Sequence, residues 1–384
     1  MKKQKKWLIA IMLVCVFAMA GCAAKKNIEA PSKVAAKKEA QQITEPIKIG
    51  LSLPLTGEAA SYGEAALGGA ELAAKEINDA GGINGNKIEL IPEDDQCSSS
   101  GGAMVANKLT NIDQVLAMVH FCSAAAGAGT PIAQNAKIPS IVLGAAPELT
   151  QNRDYIFRNY PSDSFQGKFA AEFIYNKLNK KNAAVIFVKN NWGQGIRDVF
   201  TKRFKELGGN IVYDESVMQD STDLRTQIAK AKATNPDALY FPVYLKNGVA
   251  GLKQLKELEF NAPIISGDGF EAEEILNMPE AEGTLYIAAK TNNPEYFKKQ
   301  VKEISGRESN VFTPYVYDAI KIFAEAIKKA GTDKKAIRDA LANMSYKEGM
   351  SSPLIEFDEQ GDLKQAEFEV KVIKNGKGVS WQAE

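Results

Sequence analysis

Short apolar runs alternate with helix-length segments along this chain, and the alternation starts over midway. The spacing predicts strands over 47–53, 87–92, 115–120 and 139–143, with helices over 62–79, 101–111 and 123–135 between them. The first helix carries Leu67, Ala70, Ala74 and Ile77 on one face and stops at Gly81-Gly82-Ile83-Asn84-Gly85, as a 3.6-residue period closed by glycine requires. Phe165, Phe169 and Phe173 then recur every four residues, one stripe of a further helix. A second series follows, with strands over 183–188, 211–214, 238–243 and 263–266 and helices over 192–207, 223–234 and 247–258. Strands separated by helices of this length pair in parallel and are covered on both faces. The chain is therefore read as α/β, with two Rossmann-like parallel-sheet domains. Beyond 290 come helices over 294–305, 314–330 and 334–343, then late strands over 354–357 and 367–373.

Residues 1–21 read as an address rather than as structure. Lys2, Lys3, Lys5 and Lys6 precede an apolar stretch from Trp7 to Ala20, shorter than the roughly 18 residues a transmembrane helix needs and of signal-peptide length. Met19-Ala20-Gly21-Cys22 places small residues before a Cys. This resembles a bacterial lipobox, and the resemblance implies cleavage before Cys22 and lipidation of its thiol. Residues 22–45 are rich in Ala, Lys, Glu and Gln and read as a flexible tether. The whole chain has 47 basic and 47 acidic residues, which excludes a strong electrostatic partnership with nucleic acid. Removing 1–21 takes four Lys and no acid, leaving 43 basic against 47 acidic residues and a net charge of −4. Cys15 leaves with the signal, so beyond Cys22 only Cys97 and Cys122 remain. In an exported chain they read as one disulfide, with two buried free thiols as the other reading. Neither lies in a CxxC spacing, which argues against redox catalysis and zinc.

Open parallel sheets bind ligands beyond the C-terminal ends of their strands. Five such ends carry residues suited to a small polar ligand: Ser123, Gly144-Ala145-Ala146, Trp192, Tyr244 and Asp268. No dinucleotide loop, phosphate loop, nucleophile elbow or zinc-protease motif is present, and a single His excludes multi-histidine metal sites. No cofactor and no metal is expected. Asp358-Glu359-Gln360-Gly361-Asp362 has the oxygens of a calcium loop without its length and reads as a turn. Glu93-Asp94-Asp95 reads as an acid–base pair or, more simply, as a solvated loop. His120 reads as a candidate base or a structural residue beside Cys122.

The same residues carry a family resemblance. Ile49-Gly50-Leu51-Ser52-Leu53-Pro54-Leu55-Thr56-Gly57, Glu76-Ile77-Asn78 running into the glycine turn, Asp94-Asp95-Gln96-Cys97, His120-Phe121-Cys122-Ser123, Pro147-Glu148-Leu149-Thr150 and Gly361-Asp362-Leu363-Lys364 resemble branched-chain amino-acid binding proteins of bacterial ABC transporters. The resemblance runs from about Pro46 to the end. It implies the type I periplasmic binding protein fold, two lobes joined by three crossovers near Ser162, Lys290 and Gln365. Lobe one would be 46–162 plus 291–365, and lobe two 163–290 plus 366–384. It also implies the Cys97–Cys122 pairing. Ser123 matches a serine that holds a ligand α-carboxylate, and Gly144 and Ala146 match backbone positions lining the ligand, with Ala145 between them. Asp268 sits where the family pairs the α-ammonium. Tyr244 and Tyr315 match family tyrosines, Trp192 stands where relatives carry Tyr, and Tyr62 where they carry Trp. Relatives carry Thr at Ala146, so here only the backbone N–H is expected to serve, and Asp268 is one methylene shorter than the usual Glu. Asp163 matches an acid of the hinge region or a helix cap.

The expected function is capture of an amino acid, branched-chain or otherwise aliphatic, and its delivery to an ABC permease by a monomeric protein lipid-anchored on the outer side of a membrane. A buried zwitterion needs both charges paired, which this residue set offers. Two other readings stand beside it. One is a ligand-sensing receptor component of the same fold, binding a small carboxylate or amide. The other is a hydrolase using Ser123 with His120.

Overall fold

A computed structural model of the chain describes residues 45–291 and 294–382. The signal sequence, Cys22 and the tether up to residue 44 lie outside the described residues. The first half runs β1 (Ile47–Leu53), α1 (Ala60–Asp79), β2 (Ile88–Asp94), α2 (Ser99–Asn111), β3 (Ala117–His120), α3 (Ser123–Asn135), β4 (Ser140–Val142) and β5 (Ile156–Arg158). These strands form one all-parallel sheet in the order β2-β1-β3-β4-β5. In β3 every residue is buried, with Met118 in the core on one face and Val119 in the core on the other. A strand covered on both faces has no solvent side to spend polar residues on, so it reads as a continuous apolar run.

The second half runs α4 (Asp163–Glu172), β6 (Asn182–Val188), α5 (Asn191–Glu206), β7 (Asn210–Val217), α6 (Arg225–Ala233), β8 (Ala238–Tyr240), α7 (Leu245–Glu257), β9 (Ile264–Ser266), α8 (Glu273–Leu276) and β10 (Leu285–Ala289). Helices α9 (Glu295–Ser305), α10 (Thr313–Ala330) and α11 (Lys334–Ala342) follow. Of these, α9 and α10 pack against α1, and α11 packs against α10. After the short pair β11 (Ser345–Tyr346) and β12 (Ile355–Glu356), the hairpin β13 (Phe368–Lys374) and β14 (Lys377–Ser380) joins the second sheet. Its order is β14-β13-β10-β9-β8-β6-β7. Strands β10, β9, β8, β6 and β7 pair in parallel as the α/β reading expects, and β13, antiparallel to both β10 and β14, adds an antiparallel edge that makes the second sheet mixed. The β13–β14 pairing has a local cause. A two-residue turn at Asn375 and Gly376, both at positive φ, returns the chain directly, which only antiparallel strands permit.

The aromatic stripe lies along α4 and runs on to buried Phe173 in the core of the second sheet. Gln166, Gly167, Ala170 and Ala171 form the buried face, while Phe169 and Phe173 meet Phe368 and Trp381 of the C-terminal hairpin region. Glycines allow two of the helix contacts. A Cβ on Gly69 of α1 would sit 2.4 Å from Thr313 O of α10, and one on Gly102 of α2 would sit 2.2 Å from Ala125 O of α3.

The chain passes between the two sheets after β5, after β10 and after Leu363. Within each sheet the strand order reverses beside the first strand, between β1 and β3 and between β6 and β8. Those are the points where an open α/β sheet leaves a crevice at its C-terminal edge. Cys97 and Cys122 are joined there, 25 residues apart in sequence. Closing a loop of that length removes unfolded-state entropy worth about 3 kcal/mol. The double variant Cys97→Ala/Cys122→Ala is therefore expected to lose about that much unfolding free energy in a urea titration; an unchanged midpoint would contradict it.

Candidate functional site

Both crevices open onto one cavity. Ser123 and the Gly144-Ala145 loop enter it from the first sheet, Trp192, Tyr244 and Asp268 from the second, and Tyr62 from α1. Ser123 is the first residue of α3, where helix N–H groups have no intrahelical partner and favour an anion. Its oxygen accepts the N–H of Ala146 at 3.2 Å, which leaves the hydroxyl proton for a second acceptor. Gly144 is required for this approach, since a Cβ there would lie 2.9 Å from Ser123 Cα.

Asp268 opens a short 3₁₀ turn after β9 and is 8% exposed. Its carboxylate accepts backbone N–H groups of Gly269 and of its own residue, and burial, followed by the nearby Glu271 charge, pushes its pKa up to about 7. No Lys or Arg pairs with it among the described residues. A carboxylate so placed favours any cation that can enter. The Trp192 and Tyr244 rings stack with centroids 4.9 Å apart and planes 8° from parallel. Phe121, Leu143, Tyr160, Val243 and Phe312 complete an apolar wall, and the Cys97–Cys122 disulfide lies in it.

Side-chain contacts near the cavity cross from the first-sheet side to the second. The Tyr62 hydroxyl donates to Gly269 O at 2.9 Å, and Lys246 pairs with Glu58 at 2.7 Å. The Tyr62 phenol is buried near Asp268, both of which keep it protonated and hence a donor. Removing one such neutral hydrogen bond is worth about 1 kcal/mol. Tyr62→Phe is therefore expected to weaken ligand affinity by roughly fivefold with the ring packing against Phe312 retained. Calorimetric titration checks this, and an unchanged affinity would show that the contact does not contribute to closure.

Two expected site residues are not brought to the cavity wall. Ala146 is fully buried and its N–H is taken by Ser123 rather than left for a ligand. Tyr315 sits one layer back, its ring edge-on to Tyr160 at 4.7 Å. The Ser123–His120 pair does not form either. His120 is fully buried with neither ring nitrogen hydrogen-bonded, and burial lowers its pKa to about 4. The acidic cluster proves structural: Glu93 pairs with Lys108, Asp94 accepts N–H groups of Leu55 and Thr56, and buried Asp95 accepts from Ser52 and Cys97. No cluster of metal-ligating residues occurs among the described residues. Sequence reading missed Phe121, Tyr160, Gln166 and Phe312 in the wall. Only Phe121 carried a signal, lying next to Cys122 and Ser123.

The profile of the periplasmic binding protein family matches residues 46–377. A leucine-, isoleucine-, valine-, threonine- and alanine-binding protein of Pseudomonas aeruginosa is 30% identical, over 84% of this chain and 89% of its own. A leucine-binding protein of Thermotoga maritima superposes with a TM-score of 0.80 at 27% identity, covering 88% of this chain and 98% of its own. A branched-chain amino-acid transporter substrate-binding protein of Streptococcus pneumoniae in complex with isoleucine gives 0.78 at 28%, covering 87% and 98%.

Proposed function

The chain belongs to the periplasmic binding protein family, and we propose that it captures an amino acid with a branched-chain or other aliphatic side chain and delivers it to an ABC permease. One observation carries this. A single cavity holds an unpaired buried carboxylate, Asp268, from the second sheet, and an anion-ready donor set from the first, the Ser123 hydroxyl and the α3 N-terminus. A zwitterion satisfies both, and leaving either charge unpaired in a buried site is strongly unfavourable. The aromatic wall then takes an apolar side chain.

In this reading 46–162 plus 291–365 form one lobe and 163–290 plus 366–384 the other, and they close on the ligand by hinge motion at the three crossings. Gly144, Ala145, Trp192, Tyr244 and Tyr62 shape the pocket. In this reading the protein binds and releases its ligand unchanged. It works outside the cytoplasm, as a monomer held to the membrane through lipid on Cys22. No helix among the described residues is long and apolar enough to cross a membrane. Cys22→Ser is expected to move the chain from the membrane to the soluble fraction; retention in the membrane would refute the anchor.

A thermal-shift panel tests the ligand class. The chain is unfolded and refolded to strip carried-over ligand, then melted with each of the twenty amino acids and with small aliphatic and aromatic carboxylates. A ligand at roughly 100 times its Kd adds about 2.7 kcal/mol to the native state, a shift of several degrees. Selective stabilisation by leucine, isoleucine or valine is expected. Stabilisation only by compounds without an α-ammonium would refute the amino-acid assignment.

A further inference from the structure

Arg158 heads the large side chains that are fully buried. It ends β5 at the first crossing between the sheets, and nothing in its sequence neighbourhood announces burial. A buried guanidinium needs acceptors for its five N–H donors and compensation for its charge, so its partners reveal what it holds. Nη1 donates to Ala145 O at 2.6 Å. Nη2 reaches Pro147 O at 3.3 Å and Thr150 Oγ1 at 3.4 Å. Nε lies 3.0 Å from Asp362 Oδ1, an ion pair in which the N–H is not aimed at the carboxylate.

The first of these bonds reaches the ligand cavity. The carbonyl of Ala145 and the N–H of Ala146 belong to one peptide group, which is planar and trans, so they point in opposite directions. The carbonyl faces Arg158, and the N–H faces Ser123 Oγ at 3.2 Å. The sequence of contacts is guanidinium, carbonyl, amide N–H, serine oxygen. A cation at the carbonyl end polarises the peptide and strengthens the bond at the amide end. With its oxygen engaged from behind, the Ser123 hydroxyl directs its proton away from Ala146. Ala145 O also accepts the N–H of Asp163 at 2.8 Å, which fixes the same peptide from the start of α4.

We propose that Arg158 is a positioning residue for the ligand carboxylate, orienting the Ser123 hydroxyl through the Ala145–Ala146 peptide. The proposal rests on the amino-acid binding reading above, since it presumes a carboxylate at Ser123. It gives Ala146 a role that its lost side-chain hydroxyl does not affect: the backbone relays the contact rather than making it.

The test is a double-mutant cycle on the full chain, read by calorimetric titration with leucine. Arg158→Gln is expected to raise Kd by 10–100-fold in the otherwise native chain and by less than threefold in a Ser123→Ala background. A merely structural role would weaken binding by the same factor in both backgrounds, and that result overturns the proposal. If Arg158→Gln does not fold, Arg158→Lys goes through the same cycle. It keeps the charge and loses the planar fork, and a loss above threefold in the native background alone is expected. Native chain that binds no amino acid would refute the functional reading, whereas native binding with additive losses refutes only the role of Arg158.

Discussion

Asp268→Asn is expected to weaken amino-acid binding by roughly 10²–10³-fold. The α-ammonium enters a site in which Asp268 is the buried anion without a cationic partner. Breaking a buried ion pair by removing one partner costs about 3–5 kcal/mol, and each 1.4 kcal/mol is tenfold in affinity. Asn keeps the shape and one carbonyl oxygen, which places the effect at the lower end of that range. The ligand-free protein should respond in the opposite direction. Without ligand the carboxylate is desolvated and only backbone-paired, so replacing it with a neutral group should leave the melting temperature unchanged or raise it. Weaker binding together with undiminished stability is the expected signature. Binding within threefold of the native chain would remove Asp268 from its assigned role.

Affinity is expected to fall about tenfold for each pH unit below 7 and to be nearly flat above 8. In the ligand-free protein Asp268 holds its proton up to about pH 7, against an ordinary 3.8. Only the ionised form pairs with an ammonium, so acidification makes the ligand compete with a proton. At pH 5 the expected loss is about 100-fold relative to pH 8, since two pH units below the pKa leave about one carboxylate in a hundred ionised. Near pH 7 binding should release about half a proton, visible as a binding enthalpy that varies with the ionisation enthalpy of the buffer. The linked effect on stability has the opposite slope. A folded-state pKa above the unfolded one means the native state binds the extra proton, so Asp268 takes stability away as pH rises from about 4 to 7. The raised Asp95 and Asp318 carboxyls act in the same direction, at about 6 and about 7, and the lowered His120 acts oppositely below 6.5. Ligand affinity isolates Asp268, because its pH dependence should vanish in Asp268→Asn. A native affinity that is level from pH 5 to 8 would contradict the assignment.

The alternation of strand and helix was legible because parallel strands covered on both faces cannot hide their apolar composition. Of the strands that pair in parallel, β5 and β10 escaped that reading for physical reasons. The run over β10 is plainly apolar, but 3₁₀ turns at Asp268–Glu271 and Pro279–Ala281 and the one-turn α8 interrupt the rhythm before it. In β5 the apolar Ile156-Phe157 is followed by Arg158, whose burial depends on carbonyls supplied by Ala145 and Pro147 and a carboxylate supplied by Asp362. No local pattern announces that. The Asn375-Gly376 pair does carry a short-range hairpin signal, and it sets the antiparallel β13–β14 pair at the edge of the second sheet.

The site divides the same way. Ser123, Gly144, Trp192, Tyr244 and Asp268 stand just past strand ends, so topology predicts where they meet. Phe312 and Tyr160 arrive from outside that series, at the start of α10 and between β5 and α4. In sequence they are indistinguishable from core aromatics. Ala146 shows a different limit. Its position was legible, but the direction of its N–H is decided by Ser123 at the start of α3.

The pairing of both ligand charges is measured most directly with three ligands that share one side chain, titrated calorimetrically at pH 8: leucine, leucinamide and 4-methylpentanoate. The first carries both charges, the second lacks the carboxylate and the third lacks the ammonium. If the cavity pairs a zwitterion between Ser123 and Asp268, leucine binds and each of the others binds at least 100-fold more weakly. Binding of 4-methylpentanoate as tight as that of leucine would contradict the account, because it would leave Asp268 with no cation to meet.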